Sequence, residues 1–250
     1  MNSKTLYILP NALTTLNLFA GFLSVIYSIQ NHFVVAAYAI IVAAFFDLLD
    51  GRIARLTKST SAFGAEYDSL CDLVSFGIAP SLLLYQLSLH QIGRFGWLSC
   101  FFLVACGAIR LARFNVKEEP EGSKHFRGLP IPLAAGIVAS AVLAYHKLTM
   151  DFALQLNTAI PSLILCFLLG VVMISNIKYR NFKDVDFKKK WPARYLAFFI
   201  LLIIAISYSP EIMLFCFFLL YTILGIVFGA LHTGKKILQN KTKPTTTECH

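Results

Sequence analysis

Four aspartates between two apolar runs limit what this chain can become. Asp47, Asp50, Asp68 and Asp72 lie between the almost wholly apolar stretches 33–46 and 73–87. An aspartate inside a membrane helix costs roughly 2.5 to 3.5 kcal/mol on insertion scales, so four cost on the order of 10 kcal/mol together. Mutual repulsion adds roughly 4 kcal/mol per close pair at an effective dielectric near 20. Asp47 and Asp50 are three residues apart and Asp68 and Asp72 four apart, so on helices each pair shares one face, and Gly64 shares the face of the second pair. The polar run 57–61 between the pairs is expected to turn the chain so that two helices meet antiparallel and the carboxylates converge. Oxygen-only ligands select hard ions such as Mg2+, Mn2+ or Ca2+, and the absence of His or Cys on these faces argues against zinc. The competing reading is a helix end that extends its carboxylates into water or pairs them with Arg52, Arg55 and Lys58.

Composition decides between a soluble and a membrane frame. The 250 residues are 57% hydrophobic and 14% charged, with mean hydropathy +0.68, which places the chain among all-α polytopic membrane proteins. Apolar segments suited to span a bilayer run at about 11–30, 33–50, 67–90, 95–115, 129–147, 156–176, 194–208 and 210–231. Eight crossings put both termini on one side. With the N-terminus taken as cytoplasmic, all 22 Lys and Arg except Arg94 and Lys147 fall on inside stretches, as the positive-inside rule expects. The net charge of +9 is therefore mostly topology rather than a nucleic-acid footprint, with contact to anionic lipid a secondary role. The acidic stretch opens to the cytoplasm, and the expected location is the cytoplasmic (inner) membrane. A six-helix core at about 10–176 with two further helices at about 194–231 is expected to make one membrane domain, 1–232, followed by a polar disordered tail, 233–250. The run after Lys4 is expected to be a retained first helix, because it is long and no clear cleavage site follows.

Further polar residues sit within the apolar segments. Pro10, Asn11, Thr14 and Asn17 fall near the cytoplasmic end of the first, where they either start a helix and bond to neighbouring helices or line a site. Gly77 and Pro80 predict close packing and a local bend after the aspartates. Arg110 and Arg113 share one helical face with Asn115 just beyond; they are either interfacial anchors or an anion clamp for phosphate or carboxylate. Pro130 and Pro132 mark the start of the next helix. The basic, aromatic-rich connection 177–192 is expected to anchor on anionic lipid. The six cysteines are scattered, with no CxxC, and the six histidines cluster nowhere.

The spacing D-x2-D-G-x2-A-R-x8-G-x3-D-x3-D is complete from Asp47 to Asp72, and it resembles the signature of the CDP-alcohol phosphatidyltransferases. Eight specified residues at about 5–8% usage coincide by chance on the order of 1e-9 per starting position. The resemblance covers roughly residues 10–136 and implies an enzyme that moves a phosphatidyl group from a CDP-linked lipid to an alcohol, releasing CMP. It implies two divalent cations, Mg2+ or Mn2+, one held by Asp47, Asp50 and Asp68 and the other by Asp47, Asp68 and Asp72, with Asp72 also the general base. Gly51, Ala54 and Gly64 would make room for the cytidine, and Arg55 would contact donor phosphate. The stretches PNALTTLN, SLCDLVSFGIAPSLLLY, RLARFN and GLPIP resemble the serine-using branch of the family, which implies CDP-diacylglycerol and L-serine as substrates. Glycerol 3-phosphate, inositol phosphate or choline are the alternative acceptors. Asn11, Thr14, Asn17, Arg110, Arg113 and Asn115 are the candidates for binding substrate or its anionic groups. A homodimer is the family expectation. A polyprenyl-transferring enzyme would carry a second aspartate motif, and none is seen; a cation transporter would leave Gly51, Ala54, Arg55 and Gly64 unexplained.

Overall fold

A computed structural model describes residues 3–57, 61–116, 125–152, 157–175, 178–180 and 209–241. Helices dominate it. They are α1 (Ser3–Ile29), α2 (Phe33–Leu56), α3 (Ala62–Asp72), α4 (Ala79–Leu87), α5 (Arg94–Val116), α6 (Ile131–Phe152), α7 (Ala159–Ile174) and α8 (Pro210–Lys241). A π-helical turn, Leu73–Ile78, joins α3 to α4, and a short 3-10 turn, Leu89–Ile92, follows α4. Five stretches are long and apolar enough to cross a membrane, Leu9–Ile29, Phe33–Leu56, Ala62–Leu87, Arg94–Val116 and Ile131–Asp151, with shorter apolar helices at Ala159–Ile174 and Pro210–Gly225. The chain is thus an integral membrane protein built as a helical bundle. Of the eight expected crossings, seven coincide with these helices; 194–208 lies outside the described residues, as do 58–60 of the expected turn and most of the basic connection 177–192.

Burial follows membrane logic. On α2, Val35, Tyr38, Val42, Phe45 and Leu48 are exposed, whereas Ala36, Ala37, Ile40 and Ala43 are fully buried. Large apolar side chains face outward and small ones inward, the inverse of a soluble amphipathic helix and the pattern that lets membrane helices approach closely. Asp47 and Asp50 continue the spacing of Ala36, Ile40 and Ala43, so the helix aims them into the bundle. More than half of the α3–α4 unit and of α6 is buried but only about a third of α1, α2 and α5, which places the former at the centre. Helix α1 pairs with α2 through the turn at Gln30–His32, where Asn31 takes a left-handed φ of 62°. Helix α1 also packs on α3, α4 and the π turn, α5 on α7, and α6 on α2 and α8.

Three local features differ from the sequence reading. Pro10 does not start α1 but lies inside it; the helix begins at Ser3, and with no N–H the proline leaves one bond of the ladder unmade. Helix α8 runs past residue 232, where a disordered tail was expected, to Lys241, because an apolar helix once formed extends cheaply through Lys, Leu and Gln; residues 242–250 are outside the description. A two-stranded antiparallel ribbon pairs β1 (His125–Arg127) with β2 (Lys178–Arg180), Phe126 opposite Tyr179. The bend expected at Gly77 and Pro80 is present as the π turn. Pro80 has no N–H to give to the α-helical ladder, and the Ala79 N–H bonds to the Val74 carbonyl five residues back. Pro130 and Pro132 flank the first residue of α6, as expected.

Gly21 fixes how closely α1 meets the π turn. A Cβ there would lie 2.6 Å from Ser75 Cα, a backbone atom that cannot step aside alone. Gly21→Ala is therefore expected to destabilise the protein by about 1–3 kcal/mol through overpacking, read as a lowered melting temperature in detergent; an unchanged melt would show that the two segments do not need this approach.

Candidate functional site

The aspartates converge, and a third helix brings them together. Helices α2 and α3 barely touch along their backbones, contrary to the expected direct antiparallel meeting; α1 packs along both. Carboxylate oxygens of Asp47, Asp50 and Asp68 all lie within 4.8 Å of one another. Asp72, one turn beyond Asp68, stands outside that trio but within electrostatic range of all three. Asp50 and Asp72 are only 4% and 7% exposed, so they do not reach into water.

No described basic side chain forms an ion pair with them. Among the described residues no Lys, Arg or His lies within ion-pair distance of any of the four, and the ion pair found is Lys147 with Asp151. Arg55 turns back instead, its Nε donating to the Gly51 carbonyl at 2.8 Å. The reading of snorkelled or arginine-paired carboxylates therefore fails for Asp50, Asp72 and Arg55, while Lys58 lies outside the described residues. Asp68 Oδ1 is buried with no hydrogen-bond partner. An oxygen-only trio this close, with an orphaned buried carboxylate oxygen, fits a hard divalent cation.

A cleft of about 130 Å³ adjoins the trio, lined by Pro10, Asn11, Thr14, Asp50, Gly51, Ala54, Ser61, Gly64, Ala65 and Asp68. Gly51, Ala54 and Gly64, the three residues that the resemblance associates with cytidine, are thus in its wall, and Arg55, associated with donor phosphate, lies over Gly51. A Cβ at Gly64 would come 3.1 Å from Ser61 Oγ and 3.4 Å from Asn11 Oδ1, so a side chain there would narrow the cleft. Ser61 caps α3, accepting from the Gly64 N–H at 3.0 Å. Sequence reasoning missed Ser61 and Ala65, although a serine just before an apolar helical run is itself a cap signal.

The remaining candidates divide. Thr14 Oγ1 lies 2.9 Å from Asp50 Oδ2 and 3.1 Å from the Pro10 carbonyl. Asn17, fully buried, donates from Nδ2 to Asp72 Oδ1 at 3.0 Å, and its own Oδ1 has no partner. Arg110, on α5, comes within electrostatic range of Asp72 and keeps a buried Nε without a partner. Arg113, by contrast, donates to the Ile174 carbonyl at 3.3 Å, tying α5 to the end of α7. Asn115 clips α5 to α3, with Nδ2 3.0 Å from Glu66 Oε2 and 3.1 Å from Ser69 Oγ. Arg113 and Asn115 thus contribute to helix packing, and of the arginine pair Arg110 is the one that comes within electrostatic range of Asp72.

Comparison with known proteins agrees with this geometry. The family model described as CDP-alcohol phosphatidyltransferase matches residues 7–172. A Helicobacter pylori protein named CDP-diacylglycerol–serine O-phosphatidyltransferase is 40% identical over 97% of this chain and 99% of its own length. A Methanocaldococcus jannaschii protein of the same name is 35% identical over 86% of this chain and 90% of its own. An archaetidylserine synthase from Methanothermobacter thermautotrophicus is 37% identical over 68% and 69%.

If the trio holds a cation, Mn2+ at a hundredfold excess over its dissociation constant stabilises the folded protein by about 2.7 kcal/mol. Asp68→Asn removes one charge from a repelling group, so the metal-free variant should melt at or above the wild-type temperature while losing most of the Mn2+-induced rise. A variant that melts lower without metal and keeps the full rise would contradict this assignment.

Proposed function

Since this chain belongs to the CDP-alcohol phosphatidyltransferase family, we propose that it transfers the phosphatidyl group of CDP-diacylglycerol to the hydroxyl of L-serine, giving phosphatidylserine and CMP. The convergence of Asp47, Asp50 and Asp68 beside a cleft walled by Gly51, Ala54 and Gly64 carries the reading. The names of the full-length relatives support serine as the acceptor.

In this reading Asp47, Asp50 and Asp68 hold one divalent cation, and Asp47, Asp68 and Asp72 a second. When bound, the cations, Mg2+ or Mn2+, neutralise the donor diphosphate and the charge growing on the departing CMP oxygen. The small residues of the cleft admit the cytidine, and Arg55 at its rim meets donor phosphate. Asp72 takes the proton of the serine hydroxyl as its oxygen attacks the phosphatidyl phosphorus and the bond to the bridging oxygen breaks. Burial and neighbouring helices keep bulk water from competing as the nucleophile. Arg110 comes within electrostatic range of Asp72, and its unpartnered Nε suits a bidentate hold on the serine carboxylate. The diacyl tails lie along the outside of the bundle in lipid. The asymmetry of Lys and Arg supports eight crossings with both termini and the site on the cytoplasmic side of the inner membrane. Family resemblance supports a homodimer.

The test is CMP release by purified protein with CDP-diacylglycerol and Mn2+ or Mg2+, comparing L-serine, glycerol 3-phosphate, inositol and choline. Serine-dependent release that Asp72→Asn abolishes is expected; release with another alcohol would overturn the head group, and none with any acceptor would overturn the enzyme. Arg110→Lys should raise the KM for serine about tenfold or more, through loss of the bidentate fork, with little change in the KM for CDP-diacylglycerol. Equal effects on both substrates would remove Arg110 from the acceptor site.

A further inference from the structure

Thr14 and Asn17 are three residues apart on α1 and point the same way, yet each reaches a different helix. Thr14 meets Asp50 of α2 and Asn17 meets Asp72 at the end of α3. One carboxylate of each motif pair is thereby held by α1, while Asp47 and Asp68 accept no side-chain hydrogen bond among the described residues. We propose that Thr14 and Asn17 are positioning residues that set the cation site from α1: each occupies one oxygen of its aspartate and fixes that carboxylate's rotation, leaving the other oxygen to the cations and the reacting hydroxyl. This rests on the proposed two-cation reading and assigns the pair a role other than contact with substrate.

Several observations carry it. Because α2 and α3 barely touch, their own packing does little to fix the distance between Asp50 and Asp72, whereas α1 packs along both. Asn17 is entirely enclosed, so its amide has no water to rotate into. Its backbone is pinned as well, since Ser75 Oγ donates to the Asn17 carbonyl at 3.0 Å and Gly21, one turn on, lets the π turn close against α1. The Asn17 Nδ2 is the donor toward Asp72, the orientation that an ionised, ligating carboxylate requires, and the opposite end of the amide is left without a partner. A fully buried amide oxygen left unsatisfied is a cost that packing alone does not explain. The Thr14 hydroxyl has one proton and two acceptors, and the charged Asp50 is the stronger and nearer of them.

The variants are Thr14→Val, which keeps the shape and removes the hydroxyl, Thr14→Ser, which restores it, and Asn17→Leu. Mn2+ binding is followed by electron paramagnetic resonance of the free ion, and kcat and KM by CMP release, after melting and gel filtration confirm folded protein. Outer partners of metal ligands are worth about 10- to 100-fold in metal affinity or activity. Thr14→Val is expected to bind Mn2+ about tenfold more weakly, with Thr14→Ser within about twofold of wild type. Asn17→Leu is expected to lose kcat by that same 10- to 100-fold while the KM for CDP-diacylglycerol holds. Folded Thr14→Val with wild-type Mn2+ affinity would overturn the proposal, as would a loss in Thr14→Val that Thr14→Ser does not restore. If Asn17→Leu does not fold, the two Thr14 variants still decide. Should wild type bind Mn2+ yet release no CMP, the proposed reaction fails while the Mn2+ affinities continue to test the positioning role.

Discussion

Buried like charge with no ion-paired partner among the described residues is the interaction on which the rest of this structure depends. Three carboxylates within 4.8 Å and a fourth close by repel one another by several kcal/mol, inside a bundle whose outer surface is fitted to lipid. Among the described residues no arginine or lysine pairs with them, and Arg55, one of the two arginines that follow Asp50 on α2, gives its Nε to a backbone carbonyl. The packing around the site runs against the preference of isolated carboxylates for water, so the fold gains from a cation at that point. In the proposed reading, stability and function are served by the same ion.

The architecture reads as a solution to that problem. Helices α2 and α3 each present a pair of aspartates and stand apart, which leaves a cleft, and α1 closes it as a third wall with Pro10, Asn11 and Thr14. Small residues do the rest. Ala36, Ala37 and Ala43 let neighbouring helices approach α2, Gly21 admits Ser75, and Gly64 keeps the cleft open beside Asn11. The π turn directly after Asp72 shifts the register between α3 and α4, so that Asp72 faces Asn17 while Phe76, Leu83 and Leu84 enter the core.

Much of this was legible in the chain. The period of Ala36, Ile40, Ala43, Asp47 and Asp50 declares an inward face, and the fixed spacing from Asp47 to Asp72 declares the cluster, because helical geometry translates spacing into direction. What could not be read depends on contacts between distant segments. That α1 rather than a direct α2–α3 contact joins the pairs, that Arg110 approaches Asp72 while Arg113 turns to Ile174, and that Phe126 pairs with Tyr179 all follow from tertiary packing, which hydropathy does not encode. The polar residues of α1 were visible but their partners were not: Thr14 and Asn17 suit a substrate as well as a carboxylate until the neighbouring helix is in place. Helix ends were the weakest reading, since Pro10 resembles a helix start and the Lys-rich end of α8 a polar tail, and the helix runs through both.

The most direct test of the central claim is anomalous scattering from crystals of the protein grown in lipid with Mn2+. The account predicts manganese peaks among the carboxylates of Asp47, Asp50, Asp68 and Asp72, with Asp68 Oδ1 within ligand distance of one. Carboxylates that hold no manganese and instead pair with Arg or Lys, or open to water, would contradict it.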